Sequence, residues 1–470
     1  MKKTKIIATI GPASFDKNIL QEMIIKGADI IRINLSHADV PFCNKAIKMI
    51  REIEKELNKP IGIMLDLDGP SVRLDKFAYN HELLEEGHEI KLYNYPVICN
   101  NTQISVNYQD ITKEIKVGDE ILLSDGNVIL EVEEIFNDYA LLKVKVGGEI
   151  ASNKTVYFKD SRLNLPFISQ KDYEGILYGI KNKVDFLALS YVRNEQDVLE
   201  VLDILIEHEN NHINVIAKIE NKEALENLDE IAKVSDGLMV ARGDLGIEVS
   251  LLELPTLERN ILDKALEYEK VGVVATDFLM SMEENPHPSR SEVTDVYNAV
   301  MDKSDAIMLS GETTIGKYPV LAVETLSNII INAEQDFNYE DNFEEIIKDA
   351  KDDITANIAY SASIAAKRLN AKGIVANTMS GYTAMKISHI RSHCPILGCS
   401  PVVETVRLLT INYGIIPLIV NECKSTDTIV KMCTNKAKEM LSLEKDDIIV
   451  ITGSFPIDNK NTNFMKIEVI

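Results

Sequence analysis

The chain has 470 residues, with 50 Lys and Arg against 74 Asp and Glu, so its formal net charge at pH 7 is −24. At about 100–200 residues per domain, this length predicts two to four domains, and a 45% share of hydrophobic residues can fill several cores. The acidic excess argues against binding nucleic acid or an anionic membrane, because both require a basic surface that displaces counterions.

The N-terminal segment and the cysteines predict a soluble cytoplasmic protein. Residues 1–11 resemble a signal peptide only faintly, because Lys5 interrupts a short apolar stretch and no small-residue cleavage site follows. We expect this segment to form the first strand. No apolar run approaches the roughly 18 residues of a membrane span. The six cysteines lack the spacing of a metal site or a disulfide framework, and we expect Cys394 and Cys399 to be buried thiols.

Short apolar runs alternate with amphipathic segments of helical length from the N terminus onward. The runs lack strict alternation, as is typical of strands buried on both faces, and lie at 5–10, 30–35, 62–66, 186–191, 214–219, 237–241, 272–275 and 306–309. Helical patterns lie at 18–26, 40–57, 171–182, 195–207, 222–234, 257–269, 291–303 and 320–334. Eight strands, each followed by a helix, predict a (β/α)8 TIM barrel. A doubly wound open sheet is the alternative, although it seldom runs through so many alternations without a switch.

One connection of this barrel is much longer than the others. Between Asp75 and Phe158 the helical periodicity gives way to short alternating strands, with turn signals at Asp125-Gly126 and Gly147-Gly148. The strands are predicted at 88–92, 120–123, 128–132 and 141–146. Structureless loops longer than about 12–15 residues are uncommon in compact domains, so we expect an inserted small β-barrel domain here.

The C-terminal part predicts a further α/β domain, because helices and strands alternate again after an acidic helical stretch at 341–353. Helices are predicted at 354–369, 382–391, 402–410 and 427–441, and strands at 373–378, 395–400 and 415–420, followed by two closing strands. The predicted domains are a barrel in two segments (1–75 and 158–340), an inserted β domain (76–157) and a C-terminal α/β domain (341–470).

Polar residues cluster at the predicted C-terminal ends of the barrel strands, where barrels of this class carry their active sites. Cations, carboxylates and hydroxyls meet there: Arg32, Asn34, Ser36, His37, Asp66, Asp68, Arg73, Lys218, Glu220, Arg242, Gly243, Asp244, Thr276, Asp277, Ser310 and Glu312. This composition predicts a site for a metal ion and phosphate groups.

Each part of this cluster also has a structural interpretation. Lys218 and Glu220 point to the same side of a strand and can form a structural ion pair, but charge is costly to bury at a barrel mouth, which favours function. Glu220 and Asp244 follow neighbouring strands and can share Mg²⁺, which keeps water or substrate oxygens in its remaining positions. The turn at 243–246 can direct N–H groups at an anion, although a glycine pair at a strand end is by itself only a turn signal.

Several long motifs resemble those of the pyruvate kinase family, and the resemblance covers essentially the whole chain. They are Ala-Thr-Ile-Gly-Pro-Ala-Ser (8–14), Arg-Ile-Asn-Leu-Ser-His (32–37), Ala-Lys-Ile-Glu-Asn (217–221), Met-Val-Ala-Arg-Gly-Asp-Leu-Gly-Ile-Glu (239–248) and Leu-Ser-Gly-Glu-Thr (309–313). The resemblance implies phosphoryl transfer from phosphoenolpyruvate to ADP, giving pyruvate and ATP, in a homotetramer. It also implies that the inserted domain is a lid that expels water during transfer.

The resemblance further implies roles for individual residues. Lys218 stabilises the phosphoryl group in flight, Glu220 and Asp244 hold Mg²⁺, and Arg32 and Arg73 clamp phosphates. The backbone of Gly243 and Asp244, with the Thr276 hydroxyl, receives the substrate carboxylate, and Thr276 lies near the face on which the enolate is protonated. The residues implied to contact the nucleotide are Arg73, Lys154, Asn34 and His37. Those implied for a K⁺ site are Asn34, Ser36, Asp66 and Leu67.

Four residues at the mouth depart from the family pattern. Leu67, Asp68 and Ser71 alter the motif after the third strand, where Asp68 replaces a lysine and makes the mouth more negative. Asp277 adds another negative charge after the seventh strand. Ser71 carries neither the glutamate charge that accompanies K⁺ dependence in the family nor the lysine charge that accompanies independence, so the K⁺ requirement stays open.

A second phosphate site is possible in the C-terminal domain. Thr378, Ser380 and Thr383 lie between a predicted strand and helix, where they can bind an effector phosphate or simply cap the helix. The late loop at 453–459 is glycine-poor, so we do not expect activation by fructose bisphosphate. Two other hypotheses remain: a divergent paralogue that binds phosphoenolpyruvate or nucleotide as a sensor, and a different enolate-forming barrel enzyme.

Overall fold

The computed structural model describes residues 1–159, 163–210, 212–339, 353–423, 425–454 and 461–470. The first segment forms β1 (Lys5–Thr9), α1 (Lys17–Lys26), β2 (Ile30–Asn34), α2 (Val40–Leu57) and β3 (Gly62–Asp66). Asp16 and Asp39 cap the two helices, because their carboxylates accept hydrogen bonds from first-turn N–H groups. Every residue of β1 is buried, so the N-terminal segment is a core strand, as expected.

The inserted segment is almost entirely β structure. Its elements are β4 (His81–Leu84), β5 (Glu89–Tyr93), β6 (Gln103–Ser105), α3 (Ile111–Glu114), β7 (Glu120–Leu123), β8 (Val128–Ile135), β9 (Tyr139–Val146), β10 (Gly148–Ala151) and β11 (Val156–Phe158). They form a six-stranded sheet, ordered β11-β7-β8-β9-β5-β6, and a two-stranded sheet of β10 and β4. Apolar side chains of both sheets share one core, so two sheets pack together where a small β-barrel was expected.

The chain then returns to complete the large barrel. Its elements are α4 (Gln170–Asn182), β12 (Phe186–Leu189), α5 (Glu195–Glu207), β13 (Asn214–Ile219), α6 (Lys222–Glu226), α7 (Leu228–Val234), β14 (Gly237–Ala241), α8 (Arg242–Glu248), α9 (Leu254–Glu267), β15 (Val271–Ala275), a 3₁₀ turn (Met280–Glu283), α10 (Arg290–Met301), β16 (Ala306–Leu309), α11 (Gly311–Thr314) and α12 (Pro319–Ala333). Eight parallel strands close in the order β1-β16-β15-β14-β13-β12-β3-β2. The barrel prediction is therefore confirmed, and the open sheet is excluded.

The C-terminal domain is the predicted α/β unit. Its elements are α13 (Ile354–Arg368), β17 (Gly373–Asn377), α14 (Tyr382–His389), β18 (Ile396–Ser400), α15 (Val403–Leu408), a 3₁₀ turn (Leu409–Ile411), β19 (Ile415–Ile419), α16 (Thr426–Leu441), β20 (Ile448–Gly453) and β21 (Phe464–Val469). The sheet order is β19-β18-β17-β20-β21, and only the last pair is antiparallel. The acidic stretch at 341–352 and residues 455–459 of the late loop lie outside the described residues.

Two apolar layers hold the barrel, one between its strands and helices and one inside it. The interior cluster includes Phe186 and Met239 and also takes Leu408 and Ile411 from the C-terminal domain. The C-terminal domain therefore closes one end of the barrel, and the mouth at the strand C-termini faces the inserted domain. Cys394 and Cys399 are buried, as expected. Among the described helices, none is both long and apolar enough to cross a membrane.

Candidate active site

Lys218 lies on β13 among the buried polar groups of the mouth and is only 8% exposed. Its Nζ lies 2.7 Å from Ser190 Oγ and 2.9 Å from Glu220 Oε1. Asp66 Oδ1 lies 3.4 Å away on β3. Burial lowers the pKa of Lys218, but the Asp66 and Glu220 carboxylates outweigh burial, and the net shift raises its pKa above the ordinary value. The ammonium group is therefore charged although it is buried away from solvent.

Asp66 connects this lysine to Arg32. Arg32 Nε donates to Asp66 Oδ2 at 2.7 Å, and its Nη1 donates to Thr9 Oγ1 at 3.0 Å. Burial raises the pKa of Asp66, but Arg32 and Lys218 together lower it below the usual range. An ionised, buried carboxylate thus holds two cations side by side at the mouth.

Glu220 and Asp244 form the acidic half of the site. Tyr191 N donates to Glu220 Oε2 at 2.6 Å. Asp244 Oδ1 accepts from the phenols of Tyr191, at 2.9 Å, and Tyr157, at 2.7 Å. Burial, opposed by Lys218 and reinforced by Asp244, raises the pKa of Glu220 to about 7. The two carboxylates are close enough to repel each other, as expected of groups that share a cation.

The carboxylate pair fits a divalent cation that completes its shell with other oxygens. Glu220 Oε1 is buried and accepts no hydrogen bond, although Lys218 lies 2.9 Å from it. Within the described part of the chain, no group of three or more His, Cys, Asp or Glu side chains can hold a metal by itself. Two carboxylates suit Mg²⁺, which keeps water or phosphate oxygens as its other ligands.

Thr276 and Gly243 face each other across the ends of β14 and β15. The Gly243 N–H donates to Thr276 Oγ1 at 2.9 Å. Thr276 and Asp277 both have left-handed backbone angles, with φ of 73° and 59°. This conformation costs a β-branched residue about 1–3 kcal/mol. Arg242 opposes that cost, because its Nε and Nη2 donate to the Thr276 carbonyl at 3.2 and 2.5 Å.

Asp68 forms ion pairs with two cations, and the sequence analysis predicted neither pair. Its Oδ1 accepts from Ser36 Oγ at 2.7 Å and from Arg73 Nη2 at 2.8 Å. Its Oδ2 lies 3.1 Å from Lys171 Nζ at the start of α4. Burial raises the pKa of Asp68, but these partners outweigh it and lower the pKa. The acidity expected from Asp68 is therefore offset locally, whereas Asp277 is exposed.

The turn after Asp68 requires a glycine. Gly69 has a φ of +71°, and a Cβ at that position would lie 2.5 Å from the Ser190 carbonyl oxygen. The Asp68 and Gly69 N–H groups both donate to Asp172 Oδ1, at 3.0 and 3.2 Å. This turn carries the chain from β3 to Arg73.

The predicted nucleotide residues lie around this turn. Arg73 Nε donates to Ser71 Oγ at 3.2 Å, and its Nη1 donates to the Asn153 carbonyl at 3.3 Å. Lys154 and His37 are exposed. Asn34 Oδ1 accepts from the Ser36 N–H at 3.0 Å.

The predicted K⁺ ligands have partners within the protein. The Ser36 hydroxyl donates to Asp68, and both Asp66 oxygens face cations. The Leu67 carbonyl accepts from Ser190 Oγ at 2.8 Å. The K⁺ site of Asn34, Ser36, Asp66 and Leu67 stays a prediction.

In the C-terminal domain, two of the three candidate effector residues are buried. Thr378 Oγ1 accepts from the Gly381 N–H at 3.0 Å, and the Thr383 hydroxyl lies 2.5 Å from that of Thr462. Ser380 is exposed. Neither contact caps α14, which begins after Gly381 without a side-chain cap hydrogen bond, so the capping interpretation is not supported. The effector hypothesis stays a prediction.

Sequence reasoning missed several residues that touch the site. Thr9 ends β1 and Ser190 follows β12 at the mouth, so their position at a strand end was a usable signal. Tyr191 also follows β12. Tyr157 lies on β11 of the inserted domain and carried no local signal, because only the packing of that domain brings it to Asp244.

A cavity of about 1270 Å³ opens beside this cluster, between the barrel and the inserted domain. Arg242, Gly243 and Asp277 line it from the barrel. Asp125 and Asn127 line it from the inserted domain. Lys218, Glu220 and the four predicted nucleotide residues do not line this cavity, so its volume by itself assigns no ligand to it.

Comparison with known proteins agrees along the whole chain. The family model described as pyruvate kinase, barrel domain, matches residues 1–323, and that described as pyruvate kinase, alpha/beta domain, matches residues 356–468. A protein of Staphylococcus epidermidis named pyruvate kinase is 38% identical over 473 residues, covering 100% of this chain and 81% of that protein. Proteins of the same name from Staphylococcus haemolyticus and Staphylococcus aureus are 38% identical over 474 and 475 residues, with the same coverage.

Proposed function

Because the chain belongs to the pyruvate kinase family, we propose that it transfers the phosphoryl group of phosphoenolpyruvate to ADP, releasing pyruvate and ATP. The observation that carries this proposal is the buried, charged Lys218 beside the carboxylates of Glu220 and Asp66. A sensor without turnover would not need a buried lysine held beside a metal-type carboxylate pair, and no feature of the mouth favours that alternative.

In this proposal, Lys218 and Arg32 stabilise the transferred group. A loose phosphoryl-transfer transition state spreads negative charge over its oxygens, so fixed cations contribute most of the catalysis. Asp66 fixes both cations before substrate arrives, since it bonds Arg32 at 2.7 Å and lies 3.4 Å from Lys218. Little reorganisation is then required as charge develops.

Glu220 and Asp244 are the proposed ligands of the divalent metal that the family requires, and we propose Mg²⁺. When bound, the cation supplies positive charge to phosphoryl and enolate oxygens. Tyr191 supports this assignment, because its N–H donates to Glu220 at 2.6 Å and its hydroxyl donates to Asp244 at 2.9 Å, which orients both carboxylates. The implied K⁺ site of Asn34, Ser36, Asp66 and Leu67 belongs to the same proposal and is tested by adding K⁺.

Gly243, Asp244 and Thr276 are the proposed receptors of the substrate carboxylate. The Gly243 N–H and the Thr276 hydroxyl already bond each other at 2.9 Å, so a carboxylate oxygen can take over the N–H. The hydroxyl of Thr276 then lies beside the carbon to be protonated. The inserted domain, proposed as residues 76–157, excludes water from the cavity, which favours transfer over hydrolysis.

A coupled assay with lactate dehydrogenase tests the function. Phosphoenolpyruvate, ADP and Mg²⁺ are supplied with and without K⁺, and we expect pyruvate formation that requires the divalent cation. Absence of pyruvate under every condition would refute the proposal and favour the sensor, whose ligands calorimetry would still detect. Sugar phosphates added to the same assay test Thr378, Ser380 and Thr383, and light scattering tests the implied homotetramer.

A further inference from the structure

Two phenols converge on one oxygen of Asp244. The Tyr157 hydroxyl donates to Asp244 Oδ1 at 2.7 Å, and the Tyr191 hydroxyl donates to the same atom at 2.9 Å. Tyr157 lies on β11 of the inserted domain and is buried, whereas Tyr191 follows β12 of the barrel. The contact therefore joins two domains through a single carboxylate oxygen.

Tyr191 also holds the second carboxylate. Its backbone N–H donates to Glu220 Oε2 at 2.6 Å. Its φ of +57° is left-handed, an unfavourable conformation for a bulky side chain. Such a strained conformation persists only where several surrounding contacts hold it in place. Here the N–H of Tyr191 binds Glu220, and its phenol binds Asp244. Tyr191 thus fixes the two carboxylates relative to each other.

Asp244 keeps its other oxygen available. In the described part of the chain, both side-chain hydrogen bonds to Asp244 end on Oδ1. Two donors on one oxygen fix the rotation of the carboxylate and leave Oδ2 to face a ligand. Hydrogen bonds of this kind orient metal-binding carboxylates and contribute strongly to metal affinity.

We infer that Tyr157 and Tyr191 are positioning residues that hold Asp244 for the divalent cation. Tyr157 makes the cation's affinity depend on the contact between the inserted domain and the barrel. The inference rests on the proposed function, because it takes Glu220 and Asp244 as ligands of the cation. By linkage, a bound cation stabilises the contact that Tyr157 makes.

Binding of Mn²⁺ to the full-length protein, followed by electron paramagnetic resonance, tests the inference without turnover. Mn²⁺ takes the same oxygen ligands as Mg²⁺. Tyr157→Phe and Tyr191→Phe each remove one hydroxyl and preserve the ring, and each should raise the Mn²⁺ dissociation constant about tenfold. Tyr178→Phe is the matched control, because its hydroxyl donates at 2.8 Å to Asn44 on the outer helices. It should change that constant less than about twofold.

Activity adds a second readout. The Mg²⁺ concentration for half-maximal rate should rise in Tyr157→Phe and Tyr191→Phe and should not change in Tyr178→Phe. A merely structural role would lower the unfolding midpoint and leave the Mn²⁺ affinity unchanged. Wild-type Mn²⁺ affinity in both variants overturns the inference, even if both are less stable.

The two proposals fail in different ways. If wild-type protein forms no pyruvate but binds Mn²⁺ in a manner that depends on Tyr157 and Tyr191, the proposed function is wrong and the inference holds. If wild-type protein forms pyruvate and both variants bind Mn²⁺ normally, the function holds and the inference is wrong. If the wild type binds no Mn²⁺, the inference is wrong whatever the activity.

Discussion

The barrel meets another domain at each end, and the buried charges at the two ends serve different purposes. At the mouth, Lys218 and Arg32 are buried, and both pair with Asp66 on β3 of the same barrel. At the opposite end, Arg391 of the C-terminal domain is 1% exposed and lies 3.1 Å from Asp305 of the barrel.

Other contacts at that closed end also cross the domain boundary. Lys5 Nζ donates to the Ile415 carbonyl at 2.5 Å, and Arg407 Nε donates to Glu54 Oε1 at 2.9 Å. The guanidinium of Arg391 also lies 4.3 Å from the centre of the Tyr413 ring. Cations at the closed end therefore pair with groups of the neighbouring domain. At the mouth, Lys218 and Arg32 pair with Asp66 of the barrel itself.

Lys218→Met should have the largest effect and should act on turnover. Removing a fixed cation that faces the transferred group is expected to lower kcat about 10³-fold, while phosphoenolpyruvate binding, measured by calorimetry, is largely retained. Circular dichroism of the variant checks that its barrel is intact. A kcat within tenfold of wild type contradicts the role of Lys218 and the contrast between the two ends.

Arg391→Met should act on stability alone. It leaves Asp305 buried without its partner, which is expected to lower the free energy of unfolding by about 3–5 kcal/mol in urea. Its kcat at 25 °C should stay within about twofold of wild type, since Arg391 is at the far end of the barrel. Arg259→Met is the control, because Arg259 pairs with Asp302 on the surface and its side chain is 63% exposed. Equal losses in the two variants would contradict the importance of the buried pair.

Lys5 should make the stability of the closed end depend on pH. Burial, opposed by Asp29, lowers the pKa of Lys5 from 10.5 to about 8. The unfolded chain therefore binds more protons between these values, so wild-type stability should rise with pH across this window relative to Lys5→Met. The rise is expected to reach about 3 kcal/mol, with no slope below pH 8. Urea unfolding at several pH values measures it, and a difference that is constant with pH contradicts it.

Asp68→Asn should have the smallest effect and should act on nucleotide binding. It removes the charge that holds Arg73 at 2.8 Å, so the KM for ADP is expected to rise about two- to fivefold with little change in kcat. Asp229→Asn is the control, because Asp229 pairs with Lys264 at 2.9 Å on the outer helices, away from the mouth. Similar KM values for the two variants would show that Asp68 does not position Arg73.

Most of the fold could be predicted, because the spacing of apolar residues along a strand or helix follows which of its faces is buried. The predicted barrel strands agree with the observed ones to within two residues at each end. The helix expected at 222–234 is divided at Asn227, whose Nδ2 donates to the Arg193 carbonyl, and no local pattern signalled that contact. The small β domain was predicted as a barrel, but its division into two sheets depends on strand pairing, which alternation does not specify.

The sequence by itself determined the barrel, its interruption and the set of charged residues at its mouth, because strand ends and burial follow from local pattern. Only the tertiary structure decided which of these residues bind each other. Lys171 neutralises Asp68 from 103 positions away, and Tyr157 reaches Asp244 across 87 positions. A local pattern shows which face of one helix or strand is buried. The partner of a buried charge depends instead on how distant segments of the chain pack together. For that reason the sequence predicted a more acidic mouth, and the structure shows the Asp68 carboxylate paired with two cations.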